Sequence, residues 1–255
     1  NRTRPYEIEK GSVDALAAKW VEKLKPAVQR AERKEFVKNI RMIVDEFDNI
    51  PINDIQKPKV GVVGEILVKF HPDANNQLVS VIEKEGGEAV VPDFMDFILY
   101  CSLDDVHRHK ILAGSFKERL SSQLLITYIE WYRNVMRSAL KKSKRFSSFF
   151  TAKHLSSLVE GFVSLGNQTG EGWLLTAEMV ELIENGAPNV VLVQPFACLP
   201  NHITGKGVMK ELKRRYEYAN IVAVDYDPGA SEVNQLNRIK LMMSVAFQNM
   251  KKQKG

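Results

Sequence analysis

The chain reads as an α/β protein built on a four-stranded parallel sheet. Three observations lead there. Four short apolar runs stand at Lys59–Gly64, Glu88–Val91, Val190–Gln194 and Ile221–Asp225. Each reads as a continuous apolar stretch rather than an alternating one, the mark of a strand covered by helices on both faces. Amphipathic helical patterns separate the runs, so parallel crossovers join them rather than hairpins.

The elements follow in order. Residues 1–57 form an N-terminal helical arm and linker. Within it, 12–48 is helical, with Ser12 as N-cap and Leu16, Trp20, Leu24, Phe36, Ile40, Ile43, Val44 and Phe47 at helical spacing. Pro26 marks a break or the first turn of a second helix, and the two prolines of NIPINDIQKP end the arm. Residues 58–250 form the α/β domain. KVGVVG is its first strand, and Asp73 is placed to cap a helix that runs to the Gly86-Gly87 stop. EAVV is the second strand, completing a βαβ unit of right-handed connection.

Residues 94–169 are helical and aromatic-rich, with no convincing strand, and read as an insertion. After it come a helix at Trp173–Asn185, a strand, a helix at Thr204–Tyr216, a strand, and a last helix at Ser231–Met250. That helix aligns Val233, Leu236, Ile239, Met243, Ala246 and Phe247 on one face. The expected strand order is the Rossmann/flavodoxin-like 2-1-3-4. Its switch point falls between the first and third strands.

Composition narrows the classes. The 255 residues are 44% hydrophobic and 26% charged, ordinary for a globular chain. No stretch of 18 or more apolar residues exists, so no membrane span is expected. The start at Asn1 shows no signal peptide and reads as the interior of a longer protein. A net charge of +5 is mild, and no nucleic-acid partner is expected. The excess sits in Arg137–Arg145 and in Lys251, Lys252 and Lys254, read as a solvated helix face and a frayed end. Two distant cysteines without CxxC spacing fit a reducing cytoplasm.

The chemistry concentrates in LVQPFACLPNHITG, residues 192–205. The apolar run stops at Gln194-Pro195, Cys198 follows in a turn of small residues, and Asn201-His202 lead into a helix. Cys198 therefore stands at the carboxyl end of a buried parallel strand, where open α/β sheets hold their ligands. Three loops converge there: Gly64-Glu65 with His71, Phe196 to His202 with Cys198, and Asp225-Tyr226-Asp227-Pro228-Gly229. Thr204-Gly205-Lys206-Gly207 opens one helix and Ser231 caps the next. VGVVGE lacks GxGxxG and TGKG lacks the full phosphate-loop spacing, so neither is a nucleotide signature.

Cys198 also reads as a small buried hydrophobe. A Cys-His arrangement using His202 or His71 with Asp225 can be drawn, though no spacing fixes it. Cys101, in FILYCSL, is expected in the core. Asp104, Asp105, His107 and His109 are expected at the surface, and the two histidines face apart on a helix, a poor metal pair.

Four segments, VGVVGEILVKFHPDANNQL, NQTGEGWLLTAEMVELI, VQPFACLPNHITGKGV and VDYDPGASEVNQLNRIKLM, together with RTRPYE near the start, carry a resemblance. The chain resembles the acyl-CoA dehydratase activase-related proteins, relatives of the activator and of the iron–sulfur D-component of 2-hydroxyglutaryl-CoA dehydratase. The match covers most of residues 1–250 and places this chain in the carboxyl-terminal, dehydratase-like part of a longer parent. The resemblance implies ATP-binding activase domains upstream, since no ATPase motif lies here. It implies a 4Fe-4S cluster in the parent, with Cys198 as one cofactor-binding and metal-ligating cysteine. It implies ATP-driven electron transfer and radical dehydration of a 2-hydroxyacyl-CoA in anaerobic metabolism. Glu65, His71, Asn201 and His202 are the candidates for lining the pocket.

Two cysteines cannot complete a cubane. The remaining ligands are then expected from upstream domains of the same chain or from a partner dehydratase or activase subunit. The chain alone is expected to hold no intact cluster and to be inactive. Two other readings fit the same residues: a non-catalytic docking module, and a flavodoxin-like domain that binds a small ligand.

Overall fold

The computed structural model describes residues 1–227 and 229–252. Pro228 of the third loop and Lys254 of the basic tail lie outside the described residues. The chain divides into two compact units. One, the helical unit, comprises Asn1–Gln56 and Leu125–Phe150. The other, the sheet unit, comprises Lys57–Leu124 and Thr151–Gly255.

The helical unit begins with α1 (Ser12–Arg30) and α2 (Arg33–Asp48). Ser12 is not the N-cap. Gly11 holds that position at φ 88°, and the Glu7 carboxylate accepts the N–H groups of Gly11 and Val13 at 2.7 and 3.0 Å. An acid five residues upstream thus does the work expected of the serine hydroxyl. Pro26 does not break the helix either. It lies inside α1, on an exposed stretch. The break comes at Ala31, in the left-handed conformation at φ 53°, whose N–H still reaches the Ala27 carbonyl.

Trp20 is buried and donates its indole N–H to Glu46 on α2 at 3.2 Å. The linker folds back, with an antiparallel bridge between Glu7 and Ile52. The run Arg137–Arg145 is not simply a solvated face. Arg137 is buried and pairs with Glu130, while the Arg145 guanidinium donates to the carbonyls of Phe47, Asp48 and Ile50 at 2.9, 3.1 and 2.9 Å. It satisfies the free carbonyls where α2 ends.

In the sheet unit, β1 (Lys59–Gly64) leads into α3 (Ile66–Phe70), α4 (Leu78–Lys84) and β2 (Glu88–Val90). The region expected to be helical holds α5 (Phe94–Ile111), α6 (Phe116–Leu140) and α7 (Ala152–Ser157). Residues 125–140 of α6 belong to the helical unit. Then come α8 (Gly172–Glu184), β3 (Asn189–Gln194), α9 (Met209–Arg215), β4 (Asn220–Asp225) and α10 (Glu232–Lys252).

The sheet is parallel throughout, in the order β2-β1-β3-β4. This is the Rossmann/flavodoxin-like arrangement. Alternate side chains of the central strands enter two cores. Val63, Val190 and Leu192 pack with Leu175, Met179 and Ile183 of α8 and Leu212 of α9. Val60, Val62, Val191 and Val193 pack with Leu78 and Ile82 of α4 and Ile239, Met242 and Met243 of α10.

Three local expectations need correction here. Asp73 does not cap α4. It sits in a 3-10 turn, Pro72–Asn75, and the side-chain oxygen of Asn75 accepts the Leu78 N–H at 3.0 Å instead. The helix expected from Thr204 starts as a π turn at Asn201–Gly205, then a 3-10 turn, before α9. Cys101 is exposed on α5, because Leu99, Tyr100 and Leu103 take the buried face. Among the described residues no helix is long and apolar enough to cross a membrane.

Candidate functional site

The carboxyl ends of β1 and β3 meet at the switch point of the sheet, where Gly64 is paired with Val193. Gly64 has φ +152°, and a Cβ there would lie 1.8 Å from the Val193 carbonyl oxygen, so no side chain fits. The next residue, Glu65, donates its N–H to that carbonyl at 3.1 Å. Its carboxylate accepts the Val68 N–H at 2.8 Å and caps α3.

After β3 the chain turns at Pro195, and the Cys198 N–H reaches the Pro195 carbonyl at 3.2 Å. Ala197 takes φ 60° to make that turn. Cys198 is half-buried, and its Sγ accepts the Asn201 side-chain N–H at 3.2 Å. Asn201 is fully buried. The same Nδ2 donates to Glu171 Oε2 at 3.2 Å, and Glu171 Oε1 accepts the Ile66 N–H at 3.0 Å. Glu171 therefore joins the loop after β1 to the loop after β3. Thr204 pins the second loop onto α8: its hydroxyl lies 2.6 Å from the Gly172 carbonyl, and its own carbonyl accepts the Thr176 hydroxyl at 2.6 Å.

Of the candidates drawn from sequence, Cys198 and Asn201 are in direct contact, while Glu65, on the turn that leaves β1, has its carboxylate taken up by helix capping. His202 is close, but its Nδ1 is 3.0 Å from the Cys198 carbonyl oxygen and its ring meets Phe196 edge-on. His71 is exposed at the end of α3. Asp225 accepts the Gln194 side-chain amide at 2.8 Å. The Cys-His-Asp arrangement is accordingly not formed. Asp227 of the third loop accepts the Phe196 N–H with both oxygens, at 2.9 and 3.0 Å.

Two further acids of the sheet unit are buried against what the sequence suggests. Glu178 on α8 holds Lys69 Nζ with both oxygens, at 2.7 and 2.9 Å, and both side chains are buried. Desolvation raises the Glu178 carboxyl above the usual range, against the pull of Lys69. Asp104 was expected at the surface. It is buried and accepts the Trp173 indole N–H at 2.8 Å. Burial pushes its carboxyl up to about 7, partly opposed by that hydrogen bond. Glu171 carried one faint signal, an acid between two glycines just before a helix.

A cubane needs three or four thiolates. The sequence has two cysteines, and among the described residues no group of three or more His, Cys, Asp and Glu is placed to hold a metal ion. The residues of this chain do not by themselves fit a 4Fe-4S cluster. No family model, curated protein or solved structure matches the chain.

Proposed function

We propose that the chain is the carboxyl-terminal, dehydratase-like module of a larger 2-hydroxyacyl-CoA dehydratase activator or component system. Cys198 supplies one thiolate to an iron–sulfur site whose other ligands come from upstream domains or a partner subunit. ATP is handled by those upstream domains, the assembly acts on an acyl-CoA in the cytoplasm, and this module alone is inactive.

One observation carries the reading: the segments behind the family resemblance meet at a single crevice. Glu171 of NQTGEGWLL bonds Ile66 of VGVVGEILVKF and Asn201 of VQPFACLPNH, while Asp227 of VDYDPGAS bonds Phe196. Phe196, Leu199 and Ile203 around Cys198 are exposed, as are Leu67 after β1, Phe94 after β2 and Val233 after β4. Exposed apolar side chains on the segments that follow all four strands suit a covering polypeptide. They also favour the second reading, a docking module with no part in the chemistry.

Anaerobic reconstitution of the parent protein with iron and sulfide separates the two. Cys198→Ala is expected to abolish or strongly reduce the iron–sulfur absorbance. Full absorbance in that variant supports docking alone.

A further inference from the structure

We propose that Glu171 and Asn201 form a carboxylate–amide–thiol relay that fixes the Cys198 sulfur at the β1/β3 crevice. Both act on the sulfur as positioning residues. The proposal rests on the reading above only for the use made of the thiol.

The order of the relay follows from donor and acceptor chemistry. Asn201 turns its NH2 group toward Glu171, whose Oε2 accepts. That assigns Nδ2, not Oδ1, to the side facing Cys198, where it donates to Sγ. Glu171 is itself held from the far side by the Ile66 N–H, on the turn that leaves β1.

The backbone around Glu171 is equally committed. Gly170 and Gly172 have φ +59° and +43°, and a Cβ at 172 would lie 2.0 Å from the Asn167 carbonyl oxygen. No side chain fits at Gly172, and at Gly170 a Cβ would press on the Pro200 ring at 2.9 Å. A second feature points the same way. Asn201 is fully buried, yet its Oδ1 has no hydrogen-bond partner. A buried acceptor left unpaired is costly. The residue tolerates that while its donor side engages both Glu171 and sulfur.

An N–H donated to sulfur orients the side chain and draws electron density from it. Asn201 thus sets the electron density at the sulfur as well as its position.

The test uses the full chain with Cys101→Ser, so that Cys198 is the sole thiol and its infrared S–H stretching band can be read alone. Asn201→Ala is expected to shift that band. Glu171→Gln is expected to shift it too, but to add nothing in the Asn201→Ala background, because Glu171 acts through Asn201. An unmoved band in Asn201→Ala, or a Glu171 effect that persists without Asn201, overturns the relay. A merely structural Asn201 would lower stability and leave the band in place.

Should Asn201→Ala fail to fold, NMR on the unsubstituted chain decides. The relay requires Asn201 side-chain amide protons protected from solvent exchange, and fast exchange overturns it. Neither readout involves iron, so failure of the cluster reading and failure of the relay are separately visible.

Discussion

Lys69 and Glu178 in the sheet unit and Lys19 and Glu46 in the helical unit are the same chemical pair at nearly the same distance, 2.7 and 2.8 Å. Their surroundings differ. The first two side chains are 3% and 1% exposed, the second two 59% and 28%. The carboxyl shifts run in opposite directions. Desolvation wins at Glu178 and raises it, whereas the hydrogen bond from Lys19 wins at Glu46 and lowers it. Water decides the sign. Removing one partner of a buried pair strands a charge that water cannot reach, while an exposed partner left alone is simply hydrated.

The sharpest way to break this contrast is Lys69→Met. It should destabilise the sheet unit by about 3–5 kcal/mol in urea unfolding, because Glu178 is left buried and uncompensated. Lys69→Met with Glu178→Leu should recover most of that loss. If the double variant is no more stable than the single, the penalty does not come from stranded charge.

Next in size is Asp104. Its folded-state value near 7 lies above the ordinary 3.8, so the fold holds a proton that the unfolded chain releases. Its contribution is fully present below about pH 4 and is lost as the pH rises through about 7. Asp104→Asn should therefore gain about 2 kcal/mol relative to the parent at pH 8 and little at pH 4, read from unfolding curves at both values. An equal effect at both would remove burial as the cause. Smallest is Lys19→Ala in the helical unit. It should produce a slight fall in melting temperature that disappears at ~0.5 M salt, where the pair is screened.

The same distinction explains what could be read in advance. The four strands and their order were legible because a strand buried on both faces needs an unbroken apolar run, and KVGVVG and NVVLVQ supply it. Cys198 at the end of β3 followed from the same run. Glu171 left only the faint mark of an acid between two glycines, and its role was not legible. Its partners, Ile66 and Asn201, are remote in sequence, and a glutamate before a helix ordinarily reads as a capping residue. Glu7 at α1 and Asp104 beneath Trp173 were hidden in the same way, their roles set by contacts that no local pattern announces. Pro26 misled in the opposite sense. A strong local signal was overridden on an exposed helix, and the chain turned at Ala31.

The placement of the long crossover has a consequence for how the chain is built. β1 and β3 are neighbours in the sheet, yet residues 65–188 lie between them, whereas β1 and β2 are separated only by residues 65–87. During synthesis β1 can pair on one side long before β3 leaves the ribosome. Until then its other edge, Val60 to Gly64, presents free N–H and carbonyl groups flanked by valine, the kind of edge that recruits other strands. Such non-local pairings form slowly. The crevice that holds Cys198 is thus among the last parts of the molecule to exist, and truncations ending before Asn189 leave β1 a sticky border rather than the centre of a sheet.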